Sequence, residues 1–416
     1  MIAGHGVVTP LHRLDTARSP GMIRVLRSLV VCLSLAGLAA CAAPPSDVPL
    51  PFPQAVAQLT NDLMAQYRLQ HVFSTIKQVG SGRDAGLLVI DPFVDSETGN
   101  VTQTSLSIDA IATPIIQGPP NGLRVQTLNS QSFAAAGAVL VGSISYDAFP
   151  DGRSRLYRLY GSIVDPTSGD VLAHSYVWIT QGKLPSAPVS VYSQSPMFLK
   201  DAGLDKLLDA TRAAAGTNGG RAYVGTLQAS AITADASAAL ARRDFTTAAA
   251  LYRKSLATPE GISMKNYSGL YQALYFGGHR EEASAALYDL FALSVANNHP
   301  GGLFVFQVDS TEFVNRPEQR DQYDLLLRQI AKYLASHDRC IRVSGNTSHT
   351  GELDYNMGLS KRRAEKIVAL LKGYNAGVGR KLDAIGRGWL DNKIGKPVDD
   401  DETLIDRRVE FQMQNC

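Results

Sequence analysis

The last 116 residues of this 416-residue chain carry 18 Lys+Arg and 17 Asp+Glu, whereas the 260 residues from 41 to 300 carry only 18 and 20. Charge density therefore roughly doubles near residue 300 while the balance stays close to neutral. A single core with a uniform surface does not produce such a break, and the pattern predicts a separate, strongly solvated domain over 300–416. The overall excess of two positive charges excludes a nucleic-acid binder that works by bulk electrostatics.

At the other end, Arg24 and Arg27 precede an apolar run over 29–40 (LVVCLSLAGLAA) that stops at Cys41. Spanning a bilayer takes about 20 apolar residues, so this run is too short to cross, but it suits a secretory signal core. Leu38-Ala39-Ala40-Cys41 resembles the lipobox of bacterial lipoproteins. The resemblance implies diacylation of the Cys41 thiol, cleavage just before it and acylation of the new amino terminus. Residues 1–21, with Asp15 and two prolines, do not look like a signal start, which points to Met22 as the initiator. Removing 1–40 takes away four arginines and one aspartate and leaves 36 basic and 37 acidic residues. In that family an Asp after the acylated cysteine favours the inner membrane; Ala42 stands here, which implies the outer membrane. Residues 41–55 are rich in proline and predict a stiff, extended linker.

Residues 56–200 read as mixed α/β. Val56, Leu59, Leu63 and Tyr67 recur at helical spacing, and 86–90 (GLLVI) reads as a buried strand. Helices over 103–115 and 129–136 flank a strand at 123–128. Three antiparallel strands follow at 139–146, 155–164 and 171–179, with turns at Asp151-Gly152 and over 166–170. This order, with VIDPFVD at 89–95, LVGSIS at 140–145 and IVDPTSGDVLAHSYVWI at 163–179, is similar to the FlgO-like domain of envelope lipoproteins. That resemblance implies a binding or assembly module with no chemistry of its own. Residues 201–299 read as helical. Ala248, Tyr252 and Leu256, then Ala283, Leu287 and Leu290, resemble a tetratricopeptide unit, and an ordinary Ala-rich helical domain fits them equally. Either reading implies contact with a protein partner in the periplasm.

From 300 to 416 the pattern predicts a strand over 303–308, a helix over 323–334 and a strand over 340–344. An amphipathic helix follows, with Leu359, Ala364, Ile367, Val368 and Leu371 on one face and Ser360 as its cap, then a last strand alternating Val409, Phe411 and Met413. With Gly345, Thr347, Gly351, Tyr355-Asn356, Leu359-Ser360, Arg362-Arg363-Ala364, Gly386-Arg387-Gly388, Pro397 and Asp406-Arg407-Arg408-Val409-Glu410 in this order, the segment resembles the OmpA C-terminal-like domain. The resemblance implies a βαβαβ fold that binds peptidoglycan non-covalently through the diaminopimelate of its stem peptide. The whole chain thus reads as α/β and α+β multidomain.

Diaminopimelate carries an ammonium and a carboxylate on one carbon, so its site needs an acidic acceptor and a guanidinium whose planar fork grips a carboxylate. The family Arg maps onto Arg363; Thr347, Asn356, Arg407 and Arg408 complete the implied set. At the position of the family Asp this chain has Ser348. A hydroxyl forfeits a charge-assisted bond worth about 1.5–3 kcal/mol for a neutral one of about 0.5–1.5 kcal/mol. Three readings stay open: weakened binding through Arg363, Thr347 and Asn356 with help from Arg407 or Arg408; recruitment of another acid such as Glu352 or Asp354; or a fold that has lost its ligand.

Cysteine use fits an exported chain. With Cys32 in the signal and Cys41 as the lipid site, Cys340 and Cys416 remain, and an oxidising periplasm favours joining them. Such a bridge contributes about 2–4 kcal/mol; two separate thiols are the alternative. His71, His174, His279, His299, His337 and His349 are scattered and form no HExxH, and neither a GxSxG elbow nor a P-loop is present. GSGRDAG over 80–86 precedes a strand instead of following one. Asp91, Asp95 and Glu97 read as turn residues. No catalysis, cofactor or metal is therefore expected. The expectation is an outer-membrane lipoprotein on the periplasmic face that tethers the envelope to peptidoglycan. The alternative is an assembly or regulatory lipoprotein of a surface machine whose OmpA-like domain no longer binds the wall.

Overall fold

The computed structural model describes residues 47–78, 82–180, 184, 185, 187–300, 302, 304–314, 317–399, 403–414 and 416. The signal segment, Met22 and Cys41 lie outside them. Among the described residues no helix is long and apolar enough to cross a membrane.

The apolar face at Val56, Leu59, Leu63 and Tyr67 belongs to helix α1 (Phe52–Gln78), and all four side chains are buried. It lies on a sheet built from β1 (Asp84–Ile90), β2 (Val94–Asp95), β3 (Arg124–Thr127), β4 (Ala136–Ala148), β5 (Arg155–Val164) and β6 (Val171–Ile179). Helix α2 (Gln103–Gln117) connects β2 to β3, and the short α3 (Ser130–Ala135) leads into β4. Strand order is β3-β1-β4-β5-β6, with β2 beside β4. β1 runs parallel to β3 and β4, while β4, β5 and β6 form the antiparallel meander that the turn residues predict.

Strand alternation sorts the side chains onto two faces. Leu88, Leu140, Leu159 and Ile163 meet Leu59, Leu63 and Ile108 of α1 and α2. Leu87, Val89, Val139 and Val141 meet Ala210, Tyr223, Leu227 and Ala231 on the opposite side. Those four come from α4 (Ala202–Arg212), the turn Arg221–Val224 and α5 (Leu227–Ala241). Burial on both faces explains why β1 and β4 read as nearly unbroken apolar runs.

Helices α5, α6 (Phe245–Leu256), α7 (Met264–Phe276) and α8 (Arg280–Ala296) pack each on the next. Ala248, Tyr252, Ala283, Leu287 and Leu290 are buried. A Cβ on Gly269 would come within 2.1 Å of Tyr252 Cζ, so only glycine lets α6 and α7 close there. The stack does not stop at residue 300. Phe291 and Tyr288 of α8 meet Tyr333 of α9 (Pro317–Ser336) with ring centres 5.3 and 5.7 Å apart. One apolar cluster runs from Ala236 through Phe291 to Ile330, Ile367 and Val409.

The C-terminal part adds β7 (Phe304–Val305), β8 (Cys340–Gly345), α10 (Leu353–Tyr374), β9 (Leu382–Gly386) and β10 (Arg408–Gln414), in sheet order β7-β10-β8-β9. β10 is antiparallel to β7 and β8, and β8 is parallel to β9. Gln414 pairs with Cys340 in register, which brings Cys416 to the Cys340 thiol, and the two are disulfide-bonded. Ser360 is not a helix cap. The helix begins at Leu353, and Ser360 is buried inside it, donating to Met357 O at 3.0 Å and accepting the Gly388 N–H at 2.9 Å. The first two turns (LDYNMG) carry only Leu353 and Met357 as aliphatic positions, too few for the periodicity to register.

Asp109 of α2 has a carboxylate oxygen shielded from solvent with no hydrogen-bond partner. Burial, aided by the charge of Asp91, pushes it up to about 7. An unfolded Asp titrates near about 3.9, so the folded chain holds the extra proton between about pH 4 and 7 and loses stability as pH rises through that window. Asp109→Asn cannot ionise. In urea unfolding it should gain stability relative to wild type on going from pH 4 to pH 8; an equal difference at both pH values would refute this.

Candidate functional site

Arg363 occupies a position on the buried stripe of α10 and is 1 % exposed. Its Nε donates to Ser310 O at 2.8 Å, Nη2 to Gln307 O at 2.8 Å and Nη1 to Asn346 O at 3.1 Å. Its guanidinium carbon sits 5.3 Å from the centre of the Phe306 ring. Three of five guanidinium N–H donors are thus spent on the main chain, tying the segment after β7 to the residue after β8. Burial, reinforced by the neighbouring Arg407 charge, pushes its pKa down to about 10, so it remains a cation at neutral pH.

The loop after β8 places Asn346, Thr347 and Ser348 in the interior beside this cation. Thr347 N donates to Gly388 O, and Asn346 N to Arg408 O, both at 2.8 Å. Asn356 secures the far side of the loop: its Nδ2 donates to Thr350 O at 2.7 Å and Glu352 O at 3.0 Å. It positions the loop and offers no free donor pair to a ligand.

The acid of this cluster is Asp399. Its Oδ1 accepts from Arg407 Nη1 at 2.7 Å and its Oδ2 from Thr350 Oγ1 at 2.8 Å, and the Ser348 hydroxyl is also hydrogen-bonded to it. Burial alone would raise its pKa. The bonds from Ser348, Thr350 and Arg407, with the Arg407 charge, outweigh that and hold it below the usual carboxylate range. Glu352 and Asp354, the acids the sequence pointed to, are exposed at the start of α10. Asp399 lies beyond β9 in a loop without periodicity; the nearby Pro397 was its only sequence signal.

Arg408 does not join this cluster. It is fully buried, with Nε and Nη2 on the Glu410 carboxylate at 2.9 and 3.2 Å and Nη2 also on Asp391 O at 3.0 Å. Arg407, Arg363 and Asp399 therefore form the charged group, and beside them Asn346 Oδ1, Thr347 Oγ1 and Arg407 Nε are shielded from solvent without a partner. These atoms leave hydrogen-bonding capacity inside the charged group. The arrangement sets a carboxylate beside two guanidinium groups, the two polarities that a ligand with both an ammonium and a carboxylate would need.

The Asp406 carboxylate, accepting N–H from Lys393, Ile394 and Gly395 at 2.7, 3.1 and 2.8 Å, shapes the loop that carries Asp399. The same loop reaches the α/β domain: Lys393 Nζ is 3.5 Å from Glu97, and Lys396 Nζ lies 5.3 Å from the centre of the Tyr157 ring. Among the described residues no group of three or more His, Cys, Asp or Glu is placed to hold a metal ion.

Residues 305–408 match the OmpA family. Among solved structures the chain is similar to the peptidoglycan-associated lipoprotein from Burkholderia pseudomallei, at 31% identity over 27% of this chain and 88% of that one, with a TM-score of 0.23. It is also similar to the cell wall anchor of the T6SS from Pseudomonas aeruginosa (26% identity, 26% of this chain, 73% of that one, TM-score 0.21). A third is the periplasmic domain of Helicobacter pylori MotB (19% identity, 27% and 68%, TM-score 0.22). No curated protein matches the chain. The C-terminal part is an OmpA-family domain, as its motifs imply.

Arg363→Met would leave three buried carbonyls without their donor. It should lower stability by about 2–4 kcal/mol in urea unfolding; a loss under about 0.5 kcal/mol would contradict the latch.

Proposed function

We propose that this chain anchors the cell envelope to peptidoglycan non-covalently, its C-terminal domain holding the diaminopimelate of the stem peptide. The observation that carries this reading is the Asp399–Arg407 pair, set beside Arg363 and beside the unpaired polar atoms of Asn346 and Thr347. Together they offer a carboxylate for the ligand ammonium and guanidinium donors for its carboxylate. Ser348 then does not stand for a lost acid: the carboxylate comes from another loop, and Ser348 helps hold it. Lipidation at Cys41 supplies the outer-membrane attachment on the periplasmic face, and two attachments on one chain raise effective concentration at the wall. The FlgO-like α/β domain and the TPR-like helices present a surface to a periplasmic protein. A second reading, an assembly or regulatory lipoprotein of a surface machine, draws on the core that the helices share with the OmpA-type domain.

The test is co-sedimentation of the full chain with purified peptidoglycan, with free diaminopimelate as competitor. Wild type should pellet and be released by the competitor. Asp399→Ala should weaken binding about 10- to 100-fold, the worth of a charge-assisted bond. Thr347→Val should keep wild-type stability, because that hydroxyl bonds nothing within the protein, yet bind less well. Ser348→Asp separates the readings: beside Asp399 a second carboxylate weakens binding, whereas a merely impaired site would be restored. Wild type left in the supernatant sinks the anchor reading.

A further inference from the structure

Of the acidic cluster after β1, Asp95 is a turn residue, its Oδ1 accepting from Glu97 N, Thr98 N and Thr98 Oγ1. Asp91 is not. It follows β1 directly and is only 9% exposed, and its Oδ2 accepts from Tyr223 OH at 2.7 Å. That hydroxyl is its one side-chain partner among the described residues, which leaves Oδ1 unpaired. β1 lies between β3 and β4, and the segment that follows it returns to β4 through the short β2. A cavity of about 110 Å³ lies between the segment that follows β1 and the helices, lined by Asp91 and Tyr223 and, from the helical stack, by Thr226, Ser230 and Lys265.

Lys265 Nζ lies 5.4 Å from the centre of the Tyr192 ring. Lys265 and Asp91 feel each other's charge but are not joined in an ion pair. Asp201, also in the wall, is spent on the N–H groups of Gly203, Leu204 and Met264. Glu260 stands exposed at the rim. The interior therefore offers one carboxylate with an open oxygen and one ammonium with open donors, held apart. A bare cation would gain Asp91 and face Lys265 uncompensated; a bare anion would meet the reverse.

We propose that this cavity binds a small zwitterion of the α-amino-acid class, its ammonium on Asp91 and its carboxylate on Lys265. On the scale by which a cavity of about 150 Å³ holds benzene, the volume suits about four or five non-hydrogen atoms, the size of glycine. The site uses no residue of the C-terminal cluster and does not depend on wall binding.

Isothermal titration calorimetry on the full chain decides it, with glycine, L-alanine and D-alanine against methylamine and acetate. At least one amino acid should bind about tenfold more tightly than either single-charge analogue. Asp91→Asn and Lys265→Met should each cut that affinity about tenfold or more while the chain still melts cooperatively. Tyr223→Phe, which keeps the ring and removes one hydrogen bond, should cost about threefold, and with the wild-type discrimination it decides the matter if the charge variants do not fold. No saturable heat with any amino acid, methylamine binding as tightly as glycine, or undiminished affinity in the folded variants would overturn the proposal.

Discussion

One of the buried cations, Arg363, organises the C-terminal domain. Withdrawing a guanidinium from water costs several kcal/mol, and Arg363 recovers this from three main-chain carbonyls and the face of Phe306. Those carbonyls belong to separate segments, so the charge fixes where the chain leaves β7 and where it leaves β8. The positions of Thr347 and Ser348 follow from that, and with them the place where Asp399 can come to rest. A helix residue that looked like a ligand contact is first the clasp of the fold.

Features legible in the sequence were those with a period. The stripe of α1, the meander of β4 to β6 and the buried face of α10 from Leu359 onward all follow from spacing, because burial on one side imprints itself every two or every 3.6 residues. What spacing cannot carry is a contact between distant loops. Asp399 reaches Ser348 across β9, and Asp91 reaches Tyr223 across the α/β domain; neither pairing has a local signature. Adjacent arginines are equally opaque. Arg407 and Arg408 read alike, yet one meets Asp399 and the other is consumed by Glu410, because neighbouring residues at a strand end diverge.

The jump in charge near residue 300 is real at the surface and has no counterpart inside. Tyr288 and Phe291 pack on Tyr333 across that point, and the apolar cluster continues on both sides. Charge density records how much of a segment faces water. It does not record which neighbour covers the rest, so composition located a change in surface character and left the continuity of the core to be seen in three dimensions.

The loop braced by Lys393 on Glu97 and by Lys396 on Tyr157 carries a mechanical consequence. Force applied to that loop has a second path into the α/β domain, parallel to the covalent chain. A fragment cut at residue 300 would forfeit those contacts and bare the ring of Tyr333, so its stability would understate that of the intact chain. The short loop thus braces the C-terminal part against the α/β domain.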